Sequence, residues 1–120
     1  MAKSDTSCSV YPHFKVPEEN IEDFLQLCEC FVEKTKKEKK CLHYSFSING
    51  SEVRCRESYS DADGVLFHLA NVGGILNQAL QISELVRVEV HGSESELEKL
   101  KAPLQNFNVQ YFSLKYGFRH

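Results

Sequence analysis

No apolar run in this 120-residue sequence approaches the ~20 residues that a membrane-spanning helix needs. Met1 to Ser9 is polar, so no apolar leader is expected. Basic charge is not in excess either: the net charge of −3 gives no electrostatic reason to expect nucleic acid or an anionic membrane as partner. Tryptophan is absent altogether. The five cysteines, Cys8, Cys28, Cys30, Cys41 and Cys55, form an odd set. Without a leader they read as reduced thiols in the cytoplasm. Cys28 and Cys30 stand two apart on an expected helix, so their side chains diverge by about 200° and suit one metal poorly. No metal site is expected.

What the sequence does contain is a regular alternation of elements. Residues 1–7 are expected to be disordered and 8–120 to form one domain. CSVYPHFKV, 8–16, reads as a strand: Val10, Phe14 and Val16 share one parity, Tyr11, His13 and Lys15 the other. Pro12 argues for an edge or a bulge. Pro17 opens a helix of about 18–38 whose apolar face is Ile21, Phe24, Leu25, Cys28, Phe31 and Val32. The basic run Lys34–Lys40 closes it and complements the carbonyl-end dipole. Two alternating runs around Asn49-Gly50 then predict a hairpin with a type I′ turn, pairing Ile48 with Ser51 and Tyr44 with Cys55. One face of that hairpin carries Leu42, Tyr44, Phe46, Ile48, Val53, Cys55, Glu57 and Tyr59. The opposite face is polar.

Ser60 is the expected cap of the next helix, which Gly73-Gly74 should interrupt, since paired glycines cost about 2 kcal/mol relative to alanine. ELVRVEVHG, 84–92, is a strand. Ser93 and Glu96 form an S-x-x-E capping box, and 107–118 is a final aromatic-rich strand. The fold class is therefore α+β, a ferredoxin-like β-α-β-β-α-β with an extra short helix and C-terminal strand. Helices on one face of an antiparallel sheet leave the other face to be covered, most economically by a second copy.

Glu57-x-Tyr59, the polar turn at Ser60-Asp61, and His68-Leu69 eleven residues after the glutamate resemble the E-x-[W/Y]…HL stretch of antibiotic biosynthesis monooxygenase-like domains. These belong to the dimeric α+β barrel superfamily. The resemblance implies a homodimeric barrel, with a pocket between sheet and helices in each subunit. It also implies oxidation of a phenol or quinol by dioxygen with no metal, flavin or other cofactor. Three departures stand out: tyrosine at 59 where many relatives have tryptophan, no second histidine after HL, and no asparagine on the first strand. The last disfavours haem degradation.

Within that frame His68 is the expected base, since an unperturbed imidazole titrates near working pH. Tyr59 is expected to assist it, and His13, on the pocket-lining first strand, is the second candidate base. Tyr11, Tyr44, Cys55, Glu57 and Asn71 are expected to contact a small aromatic or apolar ligand. The alternative expectation is a homodimer of the same fold that binds a small ligand, or none, without turnover.

Overall fold

The computed structural model describes residues 5–120; of the segment expected to be disordered, residues 1–4 lie outside this range. Five strands and three helices follow in the order β1 (Cys8–Lys15), α1 (Ile21–Thr35), β2 (Cys41–Asn49), β3 (Glu52–Tyr59), α2 (Ala62–Gln81), β4 (Glu84–Gly92), α3 (Glu94–Lys101) and β5 (Val109–Ser113). A 3₁₀ turn, Glu18–Asn20, leads into α1. The sheet order is β2-β3-β1-β4-β5. All pairs are antiparallel except β4 with β5, which is parallel. This is the expected ferredoxin-like arrangement with one added strand.

Each helix buries the stripe that its sequence period dictates. Phe24, Cys28, Phe31 and Thr35 are the buried residues of α1, at alternating spacings of four and three. In α2 the buried set is Ala62, Gly64, Val65, His68, Val72 and Ala79. A histidine thus occupies a core position. Gly64 allows the close approach of α2 to the sheet, because a Cβ there would lie 3.0 Å from the Cβ atoms of both Lys40 and Tyr59. The core divides into two clusters. One centres on Val10, Tyr59, Val65, Val90, Leu97 and Leu100. The other centres on Phe14, Phe24, Phe31, Val53 and Val72.

Several expectations are corrected. Pro12 lies in a central strand, not an edge, since β1 pairs with both β3 and β4. The missing N–H is accommodated by a gap in the β1–β3 ladder at residues 11 and 12, and a bulge follows between His13 and Phe14 on the β4 side. The hairpin turns on Gly50-Ser51, so Asn49 pairs with Glu52 and Tyr44 with Glu57. Gly50 has φ +62° and no other residue of the turn has positive φ. That suits a type II′ turn, which needs only its first central residue there, where type I′ needs two. The register moves by two, so every side chain keeps its face. Leu42 and Cys41 are exceptions: an irregularity between Cys41 and His43 leaves Leu42 46% exposed and packs Cys41, the partner of Tyr59, against the core.

The caps differ as well. Asp61, not Ser60, caps α2, its carboxylate accepting the Gly64 N–H at 2.9 Å. α2 runs unbroken through Gly73-Gly74. Packing of α2 on α1 and the sheet outweighs the glycine cost. The Ser93–Glu96 box does not form. Glu96 instead accepts the backbone N–H of Ala62 at 2.9 Å, capping a helix 34 residues away. The last strand is short, Val109–Ser113, and beyond it Tyr116 and Phe118 are exposed.

Candidate active site

Between the two core clusters lies a cavity of about 90 Å³. β1 contributes Val10, Pro12 and Phe14 to its wall, the hairpin Tyr44, Phe46, Cys55 and Glu57, and α2 Val65, His68, Leu69, Val72 and Leu76. Leu104 and Phe107, in the connection from α3 to β5, close one side. The lining is apolar except at one end, where Glu57 and His68 meet.

His68 is held there by contacts on both ring nitrogens. Nδ1 lies 2.9 Å from Glu38 Oε2. Nε2 lies 3.6 Å from Glu57 Oε1. The ring also packs against two phenols, with centroids 5.2 Å from Tyr44 and 5.2 Å from Tyr59. Glu38 is fixed in turn by Asn71, whose Nδ2 donates to Oε2 at 2.9 Å and to the Lys34 carbonyl at 3.3 Å. A carboxylate that accepts from a histidine at one nitrogen sets the ring's orientation and favours a proton on that nitrogen. The other nitrogen is then the one available to a ligand.

Glu57 is buried and takes a 2.6 Å hydrogen bond from the Tyr59 hydroxyl. Burial raises its pKa above the usual carboxylate range, and the charge of His68 and the hydrogen bonds of Tyr59 and Cys55 only partly offset this. Burial likewise pushes up the Tyr44 phenol, the Tyr59 phenol and the Cys55 thiol, followed in each case by the charge of a neighbour. All three therefore remain neutral donors, and Cys55 is no thiolate nucleophile.

The structure therefore brings His68, Tyr59, Tyr44, Cys55 and Glu57 together. It does not bring Tyr11 or His13. Both point to the opposite face of the sheet, because Val10, Pro12 and Phe14 take the cavity side. There Tyr11 packs edge-on against His91 at 5.1 Å, and His13 stands between Arg54 and Arg87 in the ladder. Burial first, and then the Arg54 charge, lower the His13 pKa. Asn71 does not line the cavity; it acts on Glu38. Glu38 itself belongs to the site although the basic run around it reads as solvated surface. Its signal is positional: 24, 28, 31, 35 and 38 continue one 3–4 spaced buried stripe. Among the described residues, no three His, Cys, Asp or Glu side chains gather as metal ligands. No helix among them is long and apolar enough to cross a membrane.

The fold is shared with solved proteins named as antibiotic biosynthesis monooxygenases. A solved antibiotic biosynthesis monooxygenase superposes with a TM-score of 0.62 over 69% of this chain and 92% of its own, at 20% identity. A conserved protein from Methanosarcina mazei gives 0.65 over 72% and 91%, at 19% identity. Much nearer is MupZ from Pseudomonas fluorescens, 42% identical over 100% of this chain and 94% of its own, with a TM-score of 0.95. The chain belongs to the family of MupZ, and it shares its fold with the solved antibiotic biosynthesis monooxygenase. No family model and no curated protein matches the sequence.

Proposed function

We propose that this protein is a cofactor-independent enzyme in which His68, oriented by Glu38, removes a proton from a hydroxyl group of a small, largely apolar substrate. The observation that carries this reading is the 2.9 Å contact between His68 Nδ1 and Glu38 Oε2, with Nε2 at the polar end of an apolar cavity. A positioned base contributes about 10²–10⁴-fold to a proton transfer. Tyr44 flanks the imidazole at the cavity wall and offers a ring face to a flat ligand.

The specific reaction that follows from the family resemblance is monooxygenation of a phenol or quinol. His68 would convert it to the anion, which passes an electron to dioxygen, and the two resulting radicals combine. Oxygen uptake by a reduced naphthoquinone, followed with wild type and His68→Ala, tests this. Uptake that depends on His68 supports it; equal uptake with both proteins removes His68 from the reaction.

The cavity also favours a second reading, a homodimeric binding protein without turnover. Its volume of about 90 Å³ is below the ~150 Å³ void that admits benzene, so a ring-sized ligand needs the lining to move. Ligand-dependent melting without product supports this reading, since a ligand that binds only the native state raises its stability. Either reading takes the protein as a cytoplasmic homodimer. The half-exposed polar sheet face and the exposed Phe112, Leu114, Tyr116 and Phe118 are the surfaces a second copy would cover.

A further inference from the structure

The wall of the cavity is held unevenly. Every residue lining it stands on a helix or a strand except Leu104 and Phe107, in the connection from α3 to β5. Leu104 is well anchored: it is 6% exposed, and its N–H donates to the Leu100 carbonyl at 3.0 Å, extending the last turn of α3. Asn108 is pinned to β4 twice. Its carbonyl accepts the Val88 N–H at 2.9 Å, and its Nδ2 donates to the Val86 carbonyl at 2.9 Å. Between these anchors lie Gln105, Asn106 and Phe107. Among the described residues, their hydrogen bonds stay local. The Gln105 N–H reaches the Ala102 carbonyl at 3.3 Å, the Phe107 N–H reaches the Leu104 carbonyl at 3.0 Å, and the Phe107 carbonyl accepts the Val109 N–H at 3.0 Å. Gln105 and Asn106 are exposed, and Phe107 is partly buried against the core. Phe107 thus belongs to the cavity wall and to the molecular surface at once. Segments held only by local, solvent-exposed hydrogen bonds are the ones that open at low cost.

We propose that Phe107 is the gate of the cavity and the residue that sets the size of ligand it admits. The assignment rests on the reading of the cavity as the ligand site, and adds how a ligand enters and what limits it. At about 90 Å³ the cavity falls short of the ~150 Å³ that holds benzene, so an entering ring must displace part of the wall. Displacing α2 or the sheet breaks close packing in both core clusters, and packed interiors yield little. Turning Phe107 outward between Leu104 and Asn108 costs only local turn bonds and the contacts of one aromatic ring. Hinges of this kind sit at the ends of elements, where a few residues absorb the backbone change. The ligand class that follows is a single flat ring or a chain of similar girth. A fused pair of rings keeps the turn from closing and is held out.

The experiment uses full-length ¹⁵N-labelled protein, with benzene as a one-ring probe and indole as a two-ring probe, each followed by nuclear magnetic resonance. Benzene should bind wild type and broaden the amide signals of Gln105 to Asn108 by exchange, and indole should bind far more weakly. Phe107→Ala should admit indole and raise the association rate of benzene about tenfold, since a required conformational change is what slows entry. Leu69→Ala enlarges the same cavity from the helix wall, and should strengthen binding without faster association. Equal association rates in wild type and Phe107→Ala, or an unchanged preference for benzene over indole, overturn the gate. A rate gained equally by Leu69→Ala assigns the effect to volume and overturns it too. Should Phe107→Ala fail to fold, Phe107→Leu carries the same comparison and must still speed entry. Binding without an effect at Phe107 removes only the gate; no binding of either probe to any of these proteins removes the cavity as the ligand site, and the gate with it.

Discussion

His68 Nδ1 and Glu38 Oε2 lie 2.9 Å apart across 30 residues of chain, joining the middle of α2 to the turn that follows α1. One contact thereby ties helix packing to site chemistry: it pairs two buried polar atoms and aims the remaining imidazole nitrogen. Glu38→Ala leaves the His68 and Asn71 donors without their acceptor. A cost of about 1–3 kcal/mol is expected, measurable by urea unfolding. Activity should fall further than stability explains, with kcat reduced more than KM changes.

Tyr59→Phe removes the 2.6 Å hydrogen bond to Glu57 and leaves the ring in place. Destabilisation by about 1–2 kcal/mol is expected, seen as a lower Tm with an unchanged far-ultraviolet spectrum. An unshifted Tm shows that the hydroxyl contributes nothing net.

The raised pKa of Glu57 makes stability depend on pH. The native state holds this proton more tightly than the unfolded chain, whose carboxyl titrates near 4.5. Its contribution is therefore fully present below about pH 4.5 and is lost as pH rises through the folded pKa. Glu57→Gln should flatten that decline. A decline equally steep in the variant places its origin elsewhere.

Glu96 caps α2 from α3, accepting the Ala62 N–H at 2.9 Å while Lys99 donates to its other oxygen at 2.9 Å. The Ala62 hydrogen bond, followed by the Lys99 contact, holds its pKa below the ordinary carboxylate value. Glu96→Ala should cost about 0.5–2 kcal/mol, the usual price of a lost cap. Hydrogen exchange should accelerate in the first turn of α2 rather than across the sheet.

Gly73 and Gly74 sit within unbroken helix, and nothing lies within 4 Å of a Cβ built at either position. Gly73→Ala and Gly74→Ala should each stabilise by about 0.5–1 kcal/mol, read as a higher Tm.

Much of the fold is legible in the sequence because side-chain alternation survives register error. The hairpin slips by two residues from its expected pairing, yet Tyr44, Cys55, Glu57 and Tyr59 still share a face. Turn type and caps are less legible, since they depend on contacts distant in sequence: Glu96 accepts the Ala62 N–H at the start of α2, where local spacing pairs Glu96 with Ser93 at the start of α3. The alternation of β1 already carried the information that Tyr11 and His13 oppose Val10 and Phe14. The resemblance drew them into the pocket, and the observed parity puts them outside it. Glu38 is hidden by its lysine neighbours, since a charge run reads as solvated unless the helical stripe is followed past its last apolar residue.

The central claim is that His68, held by Glu38, takes a proton from a ligand hydroxyl. The most direct measurement is the visible spectrum of 4-nitrocatechol bound at a pH below its own ionisation. The account predicts the spectrum of the anion on wild type, and of the neutral form on His68→Gln and Glu38→Ala. A neutral spectrum on wild type, or an anionic one on all three proteins, contradicts it.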